Sequence, residues 1–136
     1  RVRQIMDVWY GDGPLGYCGD EDYGEMASWY VLSAMGFYTV APGRPVYDIG
    51  CPLFEKSTID LGGGKTFTVE APDVSAQNKY IQSATLNGRP IDRPWFTHEE
   101  LQQGGTLFLQ MGPRPNRSWG ANPEKMPFTD HDAPKN

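Results

Sequence analysis

Residues Gly19-Asp20-Glu21-Asp22-Tyr23-Gly24-Glu25 run directly into Met26-Ala27-Ser28-Trp29-Tyr30-Val31-Leu32-Ser33-Ala34-Met35-Gly36. The second half of this stretch reads as a helix from about Tyr23 to Met35. Apolar residues cover nearly its whole circumference, so the helix needs neighbours on most sides. Gly36 suits a left-handed C-terminal cap. Upstream, Val2, Ile5, Met6 and Trp9 recur at helical spacing, and this amphipathic pattern ends at Gly11-Asp12-Gly13-Pro14. One preceding helix cannot enclose so apolar a partner, so the pair reads as part of a larger helical assembly.

Four carboxylates fall within residues 20–25. Crowding like charges gains nothing in packing, because unpaired carboxylates are costly to desolvate. Asp22 and Glu25 have capping-box spacing, with Asp22 accepting from backbone N–H groups and Glu25 reaching back. That accounts for neither Asp20 nor Glu21. A second reading is a general base, since a carboxylate at a helix N-terminus is held ionised and rigid. In an extended loop Asp20 and Asp22 would face one side and Glu21 the other. The alternation followed by Gly24 faintly matches a calcium loop, but the twelve-residue pattern breaks down beyond it.

Beyond Pro42 the composition changes. Val46 to Ile49, Ser57 to Leu61, Thr66 to Glu70, Tyr80 to Leu86 and Thr106 to Met111 are short runs with β-branched or aromatic residues. Turn signals separate them at Gly62-Gly63-Gly64, Ala71-Pro72-Asp73, Asn87-Gly88 and Gly104-Gly105. Asn87-Gly88 marks a hairpin, and His98 to Gln103 a short helical turn. The fold class is α+β: a helical pair followed by an antiparallel, β-sandwich-like region. Three parts are expected, at residues 1–42, 43–120 and 121–136, the last a polar, proline-containing tail.

Sixteen glycines, twelve prolines and 12% aromatic residues fit turns between short strands, and the net charge of −5 argues against nucleic-acid binding. A neutral polar ligand such as a sugar suits this composition better. The longest uncharged run, Met26 to Gly43, contains Ser28, Ser33, Gly36 and Pro42 and is short for a membrane span. No signal peptide is visible. The chain opens at Arg1 inside a helical pattern, which suggests a piece of something longer.

Several features carry less. Gly62-Gly63-Gly64-Lys65-Thr66 is no phosphate loop, since Ile59 stands where its first glycine belongs and a strand follows. Cys18 and Cys51 read as free buried thiols. His98 and His131 lack a Ser or Cys partner for a nucleophilic triad. Trp9 and Trp29 read as core residues, and Trp95 and Trp119 as loop residues for which core packing and stacking on sugar rings are both open. Asn116-Arg117-Ser118 is a formal glycosylation sequon.

The stretch from Gly16 to Tyr38 resembles the signature of glycoside hydrolase family 92, the calcium-dependent exo-α-mannosidases. Tyr47-Asp48-Ile49-Gly50-Cys51-Pro52, the run Gly104 to Gly112 and Pro115-Asn116-Arg117-Ser118-Trp119-Gly120 are similar to that family's C-terminal region. Thr39 departs from the pattern, where proline is expected. The resemblance implies that residues 1–42 are the last helices of an (α/α)6 barrel. It also implies an inverting mechanism, which needs an acid and a base on opposite faces of the sugar. Asp22 is then the expected base that activates water, Asp20 positions water or sugar hydroxyls, and Glu21 and Glu25 are structural. Calcium ligands and the general acid are expected upstream, with none of the metal site in this chain. Expected partners are a mannose-containing glycan, with α-1,2 bonds of N-glycans the favoured target, and the upstream part of the same protein. An exported location follows from those substrates. The rival reading is a non-catalytic carbohydrate-binding module presenting Trp95 and Trp119.

Overall fold

A computed structural model describes residues 1–127. The first helix, α1, spans Val2–Trp9 and stops where Tyr10 turns extended. Met6 is its only buried residue, while Val2, Val8 and Trp9 lie exposed. Trp9 is therefore not a core residue of this chain. The main helix, α2, spans Glu25–Met35. It starts two residues later than its apolar pattern suggests, because Asp22–Gly24 forms a separate single turn. At its other end Gly36 adopts φ 102° and its N–H reaches the Leu32 and Ser33 carbonyls, the left-handed cap expected there.

Eight strands follow among the described residues. A three-stranded sheet has the order β1-β2-β7, built from β1 (Phe37–Tyr38), β2 (Val46–Ile49) and β7 (Trp95–Thr97). A five-stranded sheet has the order β3-β4-β8-β5-β6. Its strands are β3 (Lys56–Gly62), β4 (Lys65–Glu70), β5 (Tyr80–Leu86), β6 (Arg89–Ile91) and β8 (Gly105–Gly112). The three-glycine turn joins β3 to β4, and Asn87-Gly88, with φ 51° and 76°, turns β5 into β6. The region is not wholly antiparallel: β4 and β8 pair in parallel, Phe67 opposite Gly105 through Glu70 opposite Phe108. The apolar run in β8 signals depth, but its direction relative to β4 depends on the long connection between them. Trp95 lies in β7 rather than a loop; the three-residue strand exists only through its pairing with β2.

One core serves both sheets and α2. Phe37 of β1, Phe67 of β4 and Phe96 of β7 are each 0–2% exposed. Their ring centroids lie 5.3–6.5 Å apart, and Tyr47 stacks on Phe96 at 5.3 Å. Such pairs each add about 0.5–1.5 kcal/mol beyond area burial. Leu32 and Met35 pack on the same core. The C-terminal end of α2 is thus embedded, and its N-terminal end carries the acidic loop outward.

The short helix α3, His98–Gln103, begins at a reciprocal cap in which Thr97 and Glu100 bond to each other's backbone. The imidazole Nδ1 of His98 instead hydrogen-bonds Tyr47 Oη at 2.9 Å. Trp119 packs against the core with its indole N–H donating to the Ile91 carbonyl. The amide of Asn116 donates to the Gln82 carbonyl and accepts from the Ser118 and Trp119 N–H groups, so the sequon asparagine brackets this loop. Both cysteines are free, but Cys18 is exposed and only Cys51 is half-buried. Among the described residues no helix is long and apolar enough to cross a membrane. The tail begins with a single turn at Pro123–Lys125; His131 lies outside the described residues.

Candidate active site

The acidic loop is organised by Glu21. Its carboxylate accepts from the N–H of Met26 at 3.0 Å and of Ala27 at 3.2 Å, the second and third residues of α2. Its carbonyl also accepts from the Glu25 N–H at 3.1 Å. The preceding cap position is Gly24, which has no side chain to offer. The capping box expected of Asp22 and Glu25 is therefore absent, and the capping carboxylate is Glu21, which was expected to be structural. The helix still gains an anion at its N-terminus, with the favourable dipole interaction that follows.

For Glu21 to reach those N–H groups, the chain between must fold back sharply. Asp22, Tyr23 and Gly24 take φ values of 48°, 60° and 99°, three left-handed residues in succession. For a non-glycine residue that conformation costs roughly 1–2 kcal/mol, so Asp22 and Tyr23 together cost about 2–4 kcal/mol. Hydrogen bonds to a charged group contribute about 1.5–3 kcal/mol each, so the two made by Glu21 are of the size needed to offset the strain. The Tyr23 side chain is fully exposed and gives the turn no packing support. Strain of this kind persists where surrounding structure over-determines it, and it concentrates at functional sites.

The consequence falls on Asp20 and Asp22. Both are exposed. Among the described residues neither carboxylate has a hydrogen-bond or ion-pair partner. The loop is not the extended segment that would set the two on one side by simple alternation, since Glu21 is right-handed and Asp22 left-handed. What the fold does instead is turn Glu21 inward against α2 and leave the two aspartates on either side of it open to solvent. Glu25 lies exposed in the first turn of α2. Among the described residues no three His, Cys, Asp or Glu side chains converge to hold a metal. The loop does not fit a complete calcium site.

An aromatic cluster adjoins this loop. Tyr10 stacks on Trp29 at 5.5 Å, lies 4.8 Å from Tyr30 and meets Tyr17 edge-on at 6.1 Å. Its hydroxyl donates to the Met26 carbonyl at 3.4 Å. Burial, followed by the nearby Cys18 and Glu21, pushes the Tyr10 phenol pKa up. A cavity of about 520 Å³ opens here, lined by Tyr10, Tyr17, Ala27, Tyr30 and Val31 with the glycine-rich loop from Gly11. The sequence held one signal for Tyr10, its place at the end of the α1 pattern immediately before Gly11. A larger cleft of about 910 Å³ lies beside α1 and β5 and includes no residue of the acidic loop.

Trp95 and Trp119 are otherwise engaged. The Arg93 guanidinium covers the Trp95 ring at 4.5 Å, and the Trp95 indole donates to the Lys125 carbonyl. Trp119 is packed on the core. Neither forms an open stacking platform.

Comparison with known proteins gives a consistent result. The glycosyl hydrolase family 92 catalytic domain matches residues 1–113. A protein of Arthroderma benhamiae named an uncharacterized secreted glycosidase is 40% identical over an aligned length of 130 residues, with 93% of this chain and 17% of that protein covered. Among solved structures, a family GH92 inverting mannosidase from Bacteroides thetaiotaomicron is 50% identical with a TM-score of 0.87, over 94% of this chain and 17% of that one. A GH92 α-mannosidase of the same organism, solved with mannoimidazole, is 32% identical with a TM-score of 0.88, over 95% of this chain and 17% of that one. The present chain therefore spans 17% of the length of each of these relatives.

Proposed function

Because this chain belongs to glycosyl hydrolase family 92, we propose that it is the C-terminal part of an inverting exo-α-mannosidase and supplies the general-base side of its active site. The observation that carries this reading is the strained turn at Asp22–Gly24, where Asp22 and the nearby Asp20 lie exposed with no side-chain partner among the described residues. A carboxylate left uncommitted on a rigid turn is suited to accept a proton from water. In this reading Asp22 takes a proton from a water molecule as its oxygen bonds to the anomeric carbon. The glycosidic bond breaks on the opposite face, where an acid from the upstream region protonates the leaving oxygen. Asp20 holds the water or a sugar hydroxyl in line. Residues 1–42 would complete an (α/α)6 barrel, with residues 43–120 forming a β-sandwich-like domain beside it. Residues 121–136 would follow as the tail.

Calcium, which the family resemblance implies, would be held by upstream residues. The mannoimidazole complex of the related α-mannosidase supports a mannoside substrate. Terminal α-1,2-linked mannose on N-glycans is the proposed target. The secreted name of the Arthroderma relative supports an exported protein. The competing carbohydrate-binding module loses its footing because Trp95 and Trp119 are covered or packed.

The test is mannose release from an α-1,2-mannobioside by the full-length protein, followed by proton NMR before the anomers equilibrate. β-Mannose is expected first. First-formed α-mannose would refute inversion, no release from this substrate would refute the α-1,2 target, and no release from α-1,3-, α-1,4- or α-1,6-mannobiosides either would refute the mannosidase reading. The isolated chain is expected to release none.

A further inference from the structure

The arrangement around Glu21 goes a step beyond helix capping. We infer that Glu21 is the positioning residue of this site: by clamping the Met26 and Ala27 N–H groups it imposes the left-handed turn that presents Asp22. The inference deepens the proposed function and rests on Asp22 being the base.

Three observations lead to it. First, Glu21 is three residues upstream of the cap position Gly24, yet its carboxylate does the work of a cap. A side chain bonding from that distance closes the intervening chain into a loop of fixed size. Second, the enclosed residues are the left-handed ones, Asp22 and Tyr23 among them, a conformation that L residues avoid unless it is imposed. Third, among the described residues no other side chain is seen to impose it; beside the clamp the turn is closed only by backbone bonds from the Glu25 and Met26 N–H groups to the Glu21 and Asp22 carbonyls. Tyr23 is fully exposed, and Asp22 has no side-chain partner among the described residues. The clamp anchors on α2, whose far end is locked into the aromatic core through Leu32 and Met35. Asp22 is therefore referenced to the rigid part of the molecule through Glu21. A glutamate is long enough for this task and supplies two acceptor oxygens for two donors.

The experiment uses the full-length enzyme and four variants: Glu21→Ala, Glu21→Gln, Asp22→Asn and the Glu21→Ala/Asp22→Asn double variant. Displacement of a catalytic group by about 1 Å can cost about 10²-fold in rate. Glu21→Ala is expected to lower kcat by about that factor with KM within about twofold. Glu21→Gln, which retains one acceptor oxygen, is expected to recover part of the loss. If Glu21 acts only through Asp22, the double variant is no slower than Asp22→Asn alone. Independent, multiplying losses would overturn the inference, as would a Glu21→Ala enzyme within about threefold of wild-type kcat while Asp22→Asn is inactive. In both cases Asp22 would stand as the base. An active Asp22→Asn enzyme would instead remove the reading on which the inference rests. Should Glu21→Ala not fold, Glu21→Gln alone decides: a wild-type kcat sinks the inference, and a lowered kcat at unchanged KM and melting temperature supports it.

Discussion

Replacing Asp22 by asparagine separates chemistry from folding. Asparagine has the same shape as aspartate and is among the few side chains that tolerate a left-handed backbone, here φ 48°. The Asp22 carboxylate makes no hydrogen bond or ion pair among the described residues, so the substitution removes no interaction from the fold. The helix keeps its cap, because Glu21 supplies it. The expected change in stability is that of an ordinary surface substitution, within about 0.5 kcal/mol. The expected catalytic loss is that of a general base, about 10²–10⁴-fold. At 1.36 kcal/mol per decade this is about 2.7–5.4 kcal/mol of transition-state stabilisation. The assay is initial-rate mannose release by the full-length enzyme, giving kcat and KM, with thermal unfolding of the same samples. A kcat within about threefold of wild type would refute the assignment of Asp22. A large fall in melting temperature would refute the claim that the carboxylate has no structural role.

Two further outcomes follow from the fold. Gly36 sits at φ 102°, a backbone that strains an L side chain, and a Cβ there would press on Pro52 Cβ at 3.2 Å; Gly36→Ala is expected to destabilise by about 1–3 kcal/mol, and a denaturant midpoint unchanged from wild type would contradict the packing described. Glu100 is one pH-linked group: burial opposes its ionisation, but the hydrogen bond from Arg93 and those from Thr97 outweigh this and hold its pKa below the ordinary 4.5. A depressed folded-state pKa means that its stabilisation is complete above about pH 4.5 and is lost as pH falls from there through the lower folded value. Glu100→Gln should flatten that part of the stability–pH curve, and an unaltered acid limb would show that Glu100 does not contribute to it.

Much of the secondary structure follows from local pattern. Val46–Ile49 and Tyr80–Leu86 form strands at the expected bounds, and Gly36 and Asn87-Gly88 turn as their backbone freedom allows. Elements that owe their existence to a distant partner were not legible. Strand β1 has two residues and β7 three, too few for a periodicity, and each is held by pairing with β2. Burial of Trp119 likewise depends on where residues 116–119 close over the core.

The acidic loop shows the division most sharply. The sequence by itself determined that carboxylates crowd the start of an apolar helix, that packing does not account for them, and that the region resembles a mannosidase signature. It also carried the two aspartates proposed for catalysis. Spacing alone pointed to Asp22 and Glu25 as the cap, because capping rules assume a chain that enters the helix along an ordinary path. Only the tertiary structure decided that Glu21 caps and that Asp20 and Asp22 have no side-chain partner among the described residues. The reason is that three successive left-handed residues reverse the chain there, and hydrogen bonds from the helix it leads into favour that path.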